Sequence, residues 1–347
     1  MSRRALAALL GICGLAPSAP GQAVPESGYA LLAYDASSGR IAAAVATTGF
    51  AAASGALAAD PRAGAAVVLG RPASLAARQA IASLAAGIEP ALALAGDDAP
   101  RAPRGVAAIL SRDCEGAVSV ADGAPPWTGG FRGTAGSVCY AVVGELLPDE
   151  RVVRALEAAF RDGTADLLDR VLAGLKAAEG RLREAPRSRS AAVWILSADG
   201  MDAPLGLSDL RLQVEDHARP ILALETLIGR GRAEAVAREA NRLVDAGRYA
   251  EGLTMAREAL ALEPTTAAAW LAGGRAQMFE DSVEEAERWF RRMLELNPYL
   301  LEALGDLETG EPVPGVIPYD PRLLERLALY RAAFFPDITF PRLPDPD

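Results

Sequence analysis

The spacing of apolar residues changes along the chain, and this change divides the sequence into two predicted parts. From Tyr29 onward, short apolar runs are bounded by glycine, serine and aspartate, a pattern typical of β-strands. After Gly231, apolar residues recur three and four positions apart, which is typical of amphipathic helices. The sequence therefore predicts an α+β domain over residues 24–230, followed by an α-helical domain over residues 231–310.

Within the first domain, strands are predicted in blocks that alternate with pairs of helices. The glycine-rich stretch 129–136 is followed by an apolar run and not by a helix, so we predict a turn there and no phosphate-binding loop. A short helix over residues 220–228 is expected to connect the two domains. The predicted strands are 29–34, 41–47, 65–70, 106–111, 117–121, 138–144, 190–200 and 210–216, and the helices are 73–86, 89–95, 149–161 and 165–179.

Two prolines, Pro264 and Pro298, lie 34 residues apart and close two similar stretches of sequence. Small and bulky apolar residues recur at the same interval, which predicts two pairs of packed helices. This pattern resembles the tetratricopeptide repeat over residues 233–310. The resemblance implies a surface that binds a protein or a peptide. The equivalent positions are Gly252 and Ala286, Ala256 and Phe290, and Leu260 and Leu294.

The first helix of each repeat is expected to line a binding groove. That placement predicts a surface formed by Asn241, Leu271, Arg275 and Met278, in which Asn241 and Arg275 hold a peptide carboxylate. The alternative is that Asn241 and Arg275 are ordinary solvated residues of the helix surface. Two repeats are fewer than the roughly three that a free-standing array needs, so part of the repeat domain is expected to pack on the first domain.

The charge of the chain limits its partners. The net charge of the 347 residues is −10, which argues against nucleic acid because phosphate binding needs a basic surface. Lys176 is the one lysine in the sequence, so almost no candidate remains for lysine-based nucleophilic chemistry. The usual motifs for metals and nucleotides are absent from the sequence, and no cofactor is predicted. The expected partner is a protein or a peptide, and the sequence is compatible with a homo-oligomer.

The N-terminal residues have the pattern of an export signal. Two arginines precede an apolar run over residues 5–16, and small residues fit a cleavage site after Ala23. The run is shorter than the ~20 apolar residues that span a bilayer. We therefore expect residues 1–23 to be removed, which leaves a periplasmic or secreted protein without a membrane span. Residues 311–347 are predicted to form a proline-rich C-terminal tail, of which residues 335–347 are expected to lack regular structure.

Two cysteines, Cys114 and Cys139, remain after the predicted cleavage, which would also remove Cys13. An even number of cysteines in an exported protein suggests a disulfide. The alternative is a pair of separately buried thiols. The sequence leaves both open, because it cannot place the two Cα atoms within the ~7 Å that bridging requires.

Several segments of the first domain resemble the domain of unknown function 1028 family. The matching strings are residues 29–47, the region around Pro126 to Gly129, residues 140–160 and residues 209–220. Their order and spacing together extend over about residues 28–228. The resemblance implies a fold similar to that of the N-terminal-nucleophile hydrolases. That fold is a four-layer αββα sandwich, which here would be followed by the α-helical repeat domain.

In hydrolases of that fold, the nucleophile is the first residue of the mature chain and its own amine acts as the base. Cleavage after the signal would expose Val24, which has no nucleophilic atom. The family usually has serine where this chain has Ala30, and asparagine where it has Glu145. Ser27 would need a second cleavage, and Thr47 lies one strand later. The hypothesis is thus an exported hydrolase-like domain without an assigned nucleophile, joined to a peptide-binding module; the alternative is an amidohydrolase of cell-envelope or peptide amides.

His217 is the one histidine of the chain, so a site built from several histidines is excluded. Its neighbour Asp216 could orient it as a general base. The alternative is structural: Asp216 would cap the helix that follows, and His217 would pack beside it. No metal site is predicted.

Three aspartates follow or end predicted strands. Asp35, Asp113 and Asp122 could therefore meet in space as a catalytic group. Aspartate is also common in turns, where its side chain accepts backbone hydrogen bonds. The sequence leaves the catalytic role of Asp35 open.

Overall fold

The structure is a computed structural model that describes most of the chain, with gaps. The predicted signal segment 1–23 and Asp122 lie outside the described residues. The described residues are 27–49, 55–70, 73–95, 105–120, 126–182, 187–197, 210–279, 282–304 and 321–336.

The described residues contain both antiparallel sheets and α-helices, which confirms the predicted α+β composition. The strands are β1 (Gly28–Asp35), β2 (Arg40–Thr47), β3 (Leu57–Asp60), β4 (Gly64–Gly70), β5 (Gly105–Ser111), β6 (Gly116–Val120), β7 (Trp127–Ala135), β8 (Val138–Leu147), β9 (Ser190–Ser197) and β10 (Leu210–Val214). The helices are α1 (Ala73–Ala85), α2 (Pro90–Ala95), α3 (Arg151–Asp162), α4 (Leu167–Glu179), α5 (Pro220–Asp245), α6 (Tyr249–Leu262), α7 (Ala267–Phe279), α8 (Val283–Leu296) and α9 (Pro321–Phe334), with a 3₁₀ helix at Pro298–Ala303.

The strands form a six-stranded sheet of order β10-β9-β2-β1-β8-β7 and a four-stranded sheet of order β3-β4-β5-β6. Neighbouring strands pair in antiparallel fashion throughout both sheets. Strand β1 is apolar on both faces, because alternate residues enter two different cores. Tyr29, Leu31 and Ala33 face one core, and Ala30 and Leu32 face the other.

The core between the two sheets is built largely from small side chains. Ala30 and Ala43 of the six-stranded sheet contribute to it together with Ala65 and Ala108 of the four-stranded sheet, and all four are essentially inaccessible to solvent. Small side chains allow the two sheets to approach closely while excluding water. This inter-sheet core fixes the position of one sheet relative to the other.

Helices cover the outer faces of the sheets. The outer face of the six-stranded sheet packs against α3 and α4, through Leu156, Phe160, Val171 and Leu175. The outer face of the four-stranded sheet packs against α1 and α2 in a smaller core. Helix α4 is capped by Asp166, whose side chain accepts a hydrogen bond from the Asp169 backbone N–H at 2.9 Å.

Helix α5 is one continuous helix of 26 residues, which corrects the predicted short connector. The glycines Gly229 and Gly231 suggested a break, because glycine costs about 1 kcal/mol relative to alanine inside a helix. Burial on both sides offsets that cost: Leu224 enters the core of the first domain, and Ala233 is fully buried further along. The predicted boundary at residue 231 therefore falls inside a helix.

Helices α5 to α8 pack in sequence against their neighbours. The crossing of α7 and α8 requires small residues on α7, because a Cβ on Gly273 would overlap the Trp289 ring and one on Gly274 would overlap the Phe290 ring. Helix α9 adds Leu323, among other residues, to the core formed by α8 and the 3₁₀ helix. Helix α9 lies within the predicted tail 311–347 and ends at Phe334, before the segment 335–347 that was predicted to lack regular structure; residues 337–347 lie outside the described residues.

Two further elements depart from the sequence prediction. The short strand β3 was not predicted, and the glycine-rich stretch forms most of β7 and not a turn. Strand β7 pairs with β8 from Gly129 to Ala135. A Cβ on Gly130 would lie 2.6 Å from Val143 Cγ1, so close packing and not flexibility explains the glycine there.

A disulfide joins the two sheets. Cys114 lies in the turn between β5 and β6, and Cys139 lies in β8; their Cα atoms are 5.6 Å apart. Cys114 has a φ of 62°, so its backbone is left-handed at this turn. A bridge that closes a loop of this length contributes about 3 kcal/mol in the chain-entropy model.

We expect Leu224→Ala to lower the free energy of unfolding by about 2–5 kcal/mol, because it removes a fully buried side chain from the core beneath α5. Leu222→Ala on the same helix is the matched control, since Leu222 is 50% exposed, and it should change stability by less than about 1 kcal/mol. Urea unfolding followed by tryptophan fluorescence measures both. Equal losses would show that α5 is not anchored through Leu224.

Candidate functional site

A row of polar residues crosses the six-stranded sheet at the end where β1 begins. Glu145 pairs with Gly28, Gly28 pairs with Thr47, and Thr47 pairs with Ser190. Residues that pair directly across strands share a face of the sheet. That face looks toward the four-stranded sheet, because Ala30, two positions along β1, belongs to the inter-sheet core. We call Glu145, Gly28, Thr47 and Ser190 the polar row.

The polar row is buried but has a gap at its centre. Glu145, Thr47 and Ser190 are 6%, 4% and 0% exposed. Gly28 carries no side chain, and its two neighbours in the row are separated by two strand spacings, roughly 10 Å. A Cβ on Gly105, at the start of β5, would lie 3.0 Å from Glu145 Oε1. The carboxylate therefore reaches from one sheet toward the other.

The hydroxyl groups of the polar row donate to a backbone carbonyl. Ser190 Oγ donates to the Gly49 carbonyl at 2.8 Å, and Thr47 Oγ1 donates to the same oxygen at 3.4 Å. A nucleophilic hydroxyl needs a base that can accept its proton. A carbonyl oxygen cannot play that role, so neither hydroxyl is activated in this arrangement.

Ser27 lies directly before β1 and next to the polar row. Its backbone N–H donates to Thr48 Oγ1 at 3.0 Å, and its carbonyl accepts from the Thr48 N–H at 2.8 Å. These bonds extend the pairing of β1 with β2 by one residue. The amine that a second cleavage would create at Ser27 would therefore begin beside Thr48.

Asp216 and His217 bond to different partners. The Asp216 carboxylate forms an ion pair with Arg189, and His217 Nδ1 accepts from the Arg219 backbone N–H at 3.0 Å. Asp216 also does not cap α5. The N-cap residue of that helix is Arg219, and its side chain accepts no hydrogen bond from the first turn. The structure corrects both interpretations of Asp216. The physical reason is the nearby guanidinium, which offers the carboxylate a charged partner.

Tyr29 and Glu179 form a second polar cluster, on the opposite face of the six-stranded sheet. Tyr29 Oη donates to Glu179 Oε2 at 2.9 Å, and Ser188 Oγ donates to the same oxygen at 2.8 Å. Burial, and then the negative charge of Glu179, raise the pKa of Tyr29 well above its ordinary value of 10.0. The cluster fixes α4 on the sheet and keeps the phenol protonated.

Asp35 is a turn residue. Its carboxylate accepts hydrogen bonds from the hydroxyls of Ser37, Ser38 and Ser137 and from the Ser37 backbone N–H. These bonds lower the pKa of Asp35, against the opposing effect of its partial burial, which is the largest single contribution. Asp35 lies at the end of β1 opposite to the polar row, and Asp113 lies in the turn that carries the disulfide.

The predicted groove residues of the helical domain contact one another. Arg275 Nη2 lies 2.6 Å from the Asp245 carboxylate, and Arg275 Nη1 donates to Asn241 Oδ1 at 3.4 Å. Asn241 Nδ2 donates to two backbone carbonyls, at 2.9 and 3.0 Å. Met278 is 6% exposed and belongs to a hydrophobic core, and Leu271 is half-buried beside that core. The Asp245 side chain, in contrast, is 60% exposed.

Within the described ranges, no group of three or more His, Cys, Asp or Glu residues could hold a metal ion. In the same part of the chain, no helix is long and apolar enough to cross a membrane.

Sequence reasoning missed the polar row as a unit. It named Thr47 and Glu145 for separate reasons and did not single out Ser190. The signal was available in principle, because a polar residue at the end of an apolar strand run occurs in β2, β8 and β9. What the sequence lacks is the strand register that places them side by side.

Residues 28–224 match a family of unknown function, DUF1028. The chain belongs to the DUF1028 family. The matched region begins at β1 and ends within the first turns of α5, so it contains both sheets, the polar row and the disulfide. No functionally curated protein matches the sequence significantly.

A solved structure is similar to this chain over part of its length. It is the crystal structure of protein SPO2555 from Silicibacter pomeroyi, which is described as a DUF1028 protein. The two share 26% sequence identity with a TM-score of 0.51, over 58% of this chain and 84% of that one.

We expect the DUF1028 domain to lose stability above about pH 10 through Tyr29. The folded pKa is raised, so the contribution is complete below the unfolded value of 10.0 and is lost as the pH rises through the folded pKa. Tyr29→Phe should remove this part of the alkaline dependence and cost about 1 kcal/mol at neutral pH. Urea unfolding from pH 7 to 11 measures both; Tyr299→Phe, at a 63% exposed site, is the control. An unchanged slope would contradict the prediction.

Proposed function

We propose that this DUF1028 protein is exported and acts by binding a protein or a peptide through its helical domain. In this proposal the first domain has the N-terminal-nucleophile-hydrolase fold and does not catalyse hydrolysis. Removal of residues 1–23 would release the protein into the periplasm or the medium. The observation that carries the proposal is the recurrence of buried positions in the helices at the interval of a tetratricopeptide repeat.

That recurrence can be followed residue by residue. Gly252 and Ala286 occupy equivalent positions of α6 and α8, each 34 residues from the other, and both are buried. Ala256 and Phe290 form a second such pair. Ala259 of α6 and Met293 of α8 form a third pair. Arrays built in this way commonly present a surface for other proteins, and the proposal assigns that role to this domain.

The first domain supports a binding role because its buried hydroxyls are not activated. Thr47 and Ser190 both donate to the Gly49 carbonyl, and His217 is bound to backbone groups of the chain. Among the described residues, neither hydroxyl donates a hydrogen bond to a side chain that could act as its base.

Beside the predicted groove residues, the Asp245 side chain is charged and 60% exposed. Its carboxylate is held by Arg275, which is 7% exposed, so a partner carboxylate would have to displace Asp245 to reach the guanidinium. We therefore assign the charged contact to a basic group of the partner, which would meet an oriented carboxylate. In this assignment Arg275 and Asn241 position Asp245, and Leu271 supplies apolar surface nearby.

We expect Asp245→Asn to weaken the binding of a basic peptide by about 0.5–1 kcal/mol at low salt, with a smaller effect at high salt, as for other exposed ion pairs. The peptide would come from selection of a displayed random library on the full-length protein and would be titrated by fluorescence anisotropy. Arg288→Ala is the matched control, because Arg288 lies on α8 and is 72% exposed. Failure to enrich any peptide would contradict the binding function.

A tighter complex of acidic peptides with Asp245→Asn would instead restore the carboxylate-binding role of Arg275 and Asn241. In that case the loss of Asp245 would free the guanidinium, and Arg275→Ala should abolish the gain.

The second candidate function is an amidohydrolase that acts on cell-envelope or peptide amides. It is favoured by the polar row, where a buried carboxylate and two buried hydroxyls flank the start of β1. Such an enzyme would need a new N-terminal nucleophile, and Ser27 lies in position beside the row. Its amine would then serve as the base, with a pKa near 8.

The mature N-terminus decides between the two functions. We expect intact-mass analysis of the exported protein to show a chain that begins at Val24, which has no nucleophilic atom. A chain that begins at Ser27 would instead support the amidohydrolase, and Ser27→Ala should then abolish its amide hydrolysis.

A further inference from the structure

A cavity of about 420 Å³ opens at the end of the sheets opposite to the polar row. Its walls are the β3–β4 turn, the β5–β6 turn and the connection between α1 and α2. Tyr34 lies at its inner side, and Leu84 and Ile88 supply apolar surface. This volume is in the range of small-molecule sites.

The cavity wall carries unpaired charges of both signs. None of its six charged side chains forms an ion pair with another residue of the described chain. Four are carboxylates and two are guanidiniums, so the wall is acidic overall but has two strong anion-binding groups. These residues are Asp60, Arg62, Glu89, Arg112, Asp113 and Glu115.

The guanidinium of Arg112 has a buried hydrogen-bond donor without an acceptor in the part of the chain that the structure describes. Its Nε is buried and has no hydrogen-bond acceptor among the described residues, although its backbone N–H donates to the Ala63 carbonyl at 3.2 Å. A buried donor that belongs to a charged group is unfavourable without an acceptor. A ligand carboxylate bound to the Arg112 guanidinium would compensate the charge of this group.

We propose that this cavity binds a small zwitterion, an amino acid or a dipeptide. The ligand carboxylate would bind Arg112 and Arg62, and its ammonium group would bind the carboxylates of the wall, of which Glu89 and Glu115 are examples. A simple anion would be repelled by the four carboxylates, and a simple cation would leave Arg112 without an acceptor. This site is separate from the polar row and from the helical groove, so it goes beyond the proposed function.

The disulfide gives the site a fixed wall. Cys114 stands between Asp113 and Glu115 in the β5–β6 turn, and its bond to Cys139 ties that turn to the six-stranded sheet. Ser111, at the base of the turn, is buried and its Oγ accepts from the Asp113 N–H at 3.2 Å. The turn is therefore held before a ligand arrives, which reduces the entropic cost of binding.

The test compares three probes on the full-length protein by isothermal titration calorimetry: Ala-Ala, N-acetyl-Ala-Ala and Ala-Ala amide. The first has both charges, the second lacks the ammonium group and the third lacks the carboxylate. We expect Ala-Ala to bind, and each blocked form to bind at least about tenfold more weakly, the usual effect of losing one hydrogen bond to a charged group.

Arg112→Gln should weaken the binding of Ala-Ala by about tenfold or more. Arg78→Gln is the matched control, because Arg78 is exposed on α1 and lies outside the cavity wall. Thermal unfolding of both variants checks that they fold. Lack of Ala-Ala binding, equal affinity for the three probes, or equal effects of the two substitutions would each overturn the proposal.

Discussion

The central strands of the six-stranded sheet must be covered on both faces, and the rest of the molecule follows from that constraint. In β1, both sets of alternating side chains are apolar and buried, so neither face can meet water. One face is covered by a second sheet and the other by α3 and α4. The second sheet then exposes an apolar outer face of its own, which α1 and α2 cover. Each further element covers an apolar face that the preceding one would otherwise expose to water.

The same constraint explains where polar chemistry can occur. Between the two sheets, small apolar residues such as Ala43 and Ala108 leave little volume for a ligand. Polar groups therefore collect at the two ends of the strands. The polar row occupies one end, where the hydroxyl protons are donated to a backbone carbonyl. The charged cavity occupies the other end. Its charged side chains form no ion pairs with other described residues.

Much of the fold could be predicted from local patterns, and much of the site could not. Apolar runs located most strands, and the spacing of prolines located the ends of α6 and α8. The glycines Gly229 and Gly231 suggested a break that burial on both sides prevents, and Gly130 indicated flexibility where it allows close packing. In each case a tertiary contact outweighs a local preference.

The candidate site depended on information that local patterns do not contain. Ser190 lies beside Thr47 because of the register between β2 and β9, and a slip of one residue would place it on the other face. Asp216 was paired with its neighbour His217 by proximity in sequence. The structure instead pairs it with Arg189, 27 positions away, because the guanidinium offers the carboxylate a permanently charged partner.

Helix α5 connects the core of the six-stranded sheet with the helices that follow it. Its first turns are fixed in the core of the first domain through Ile221 and Leu224, and its last turns pack against α6 and α7. A rotation of the C-terminal helices would therefore be transmitted along α5 to the six-stranded sheet. The helix should bend most easily in its middle, because Gly229 and Gly231 have no side chains to restrict the backbone. A Cβ on Gly229 would also meet nothing within 4 Å, so no neighbouring element packs tightly there.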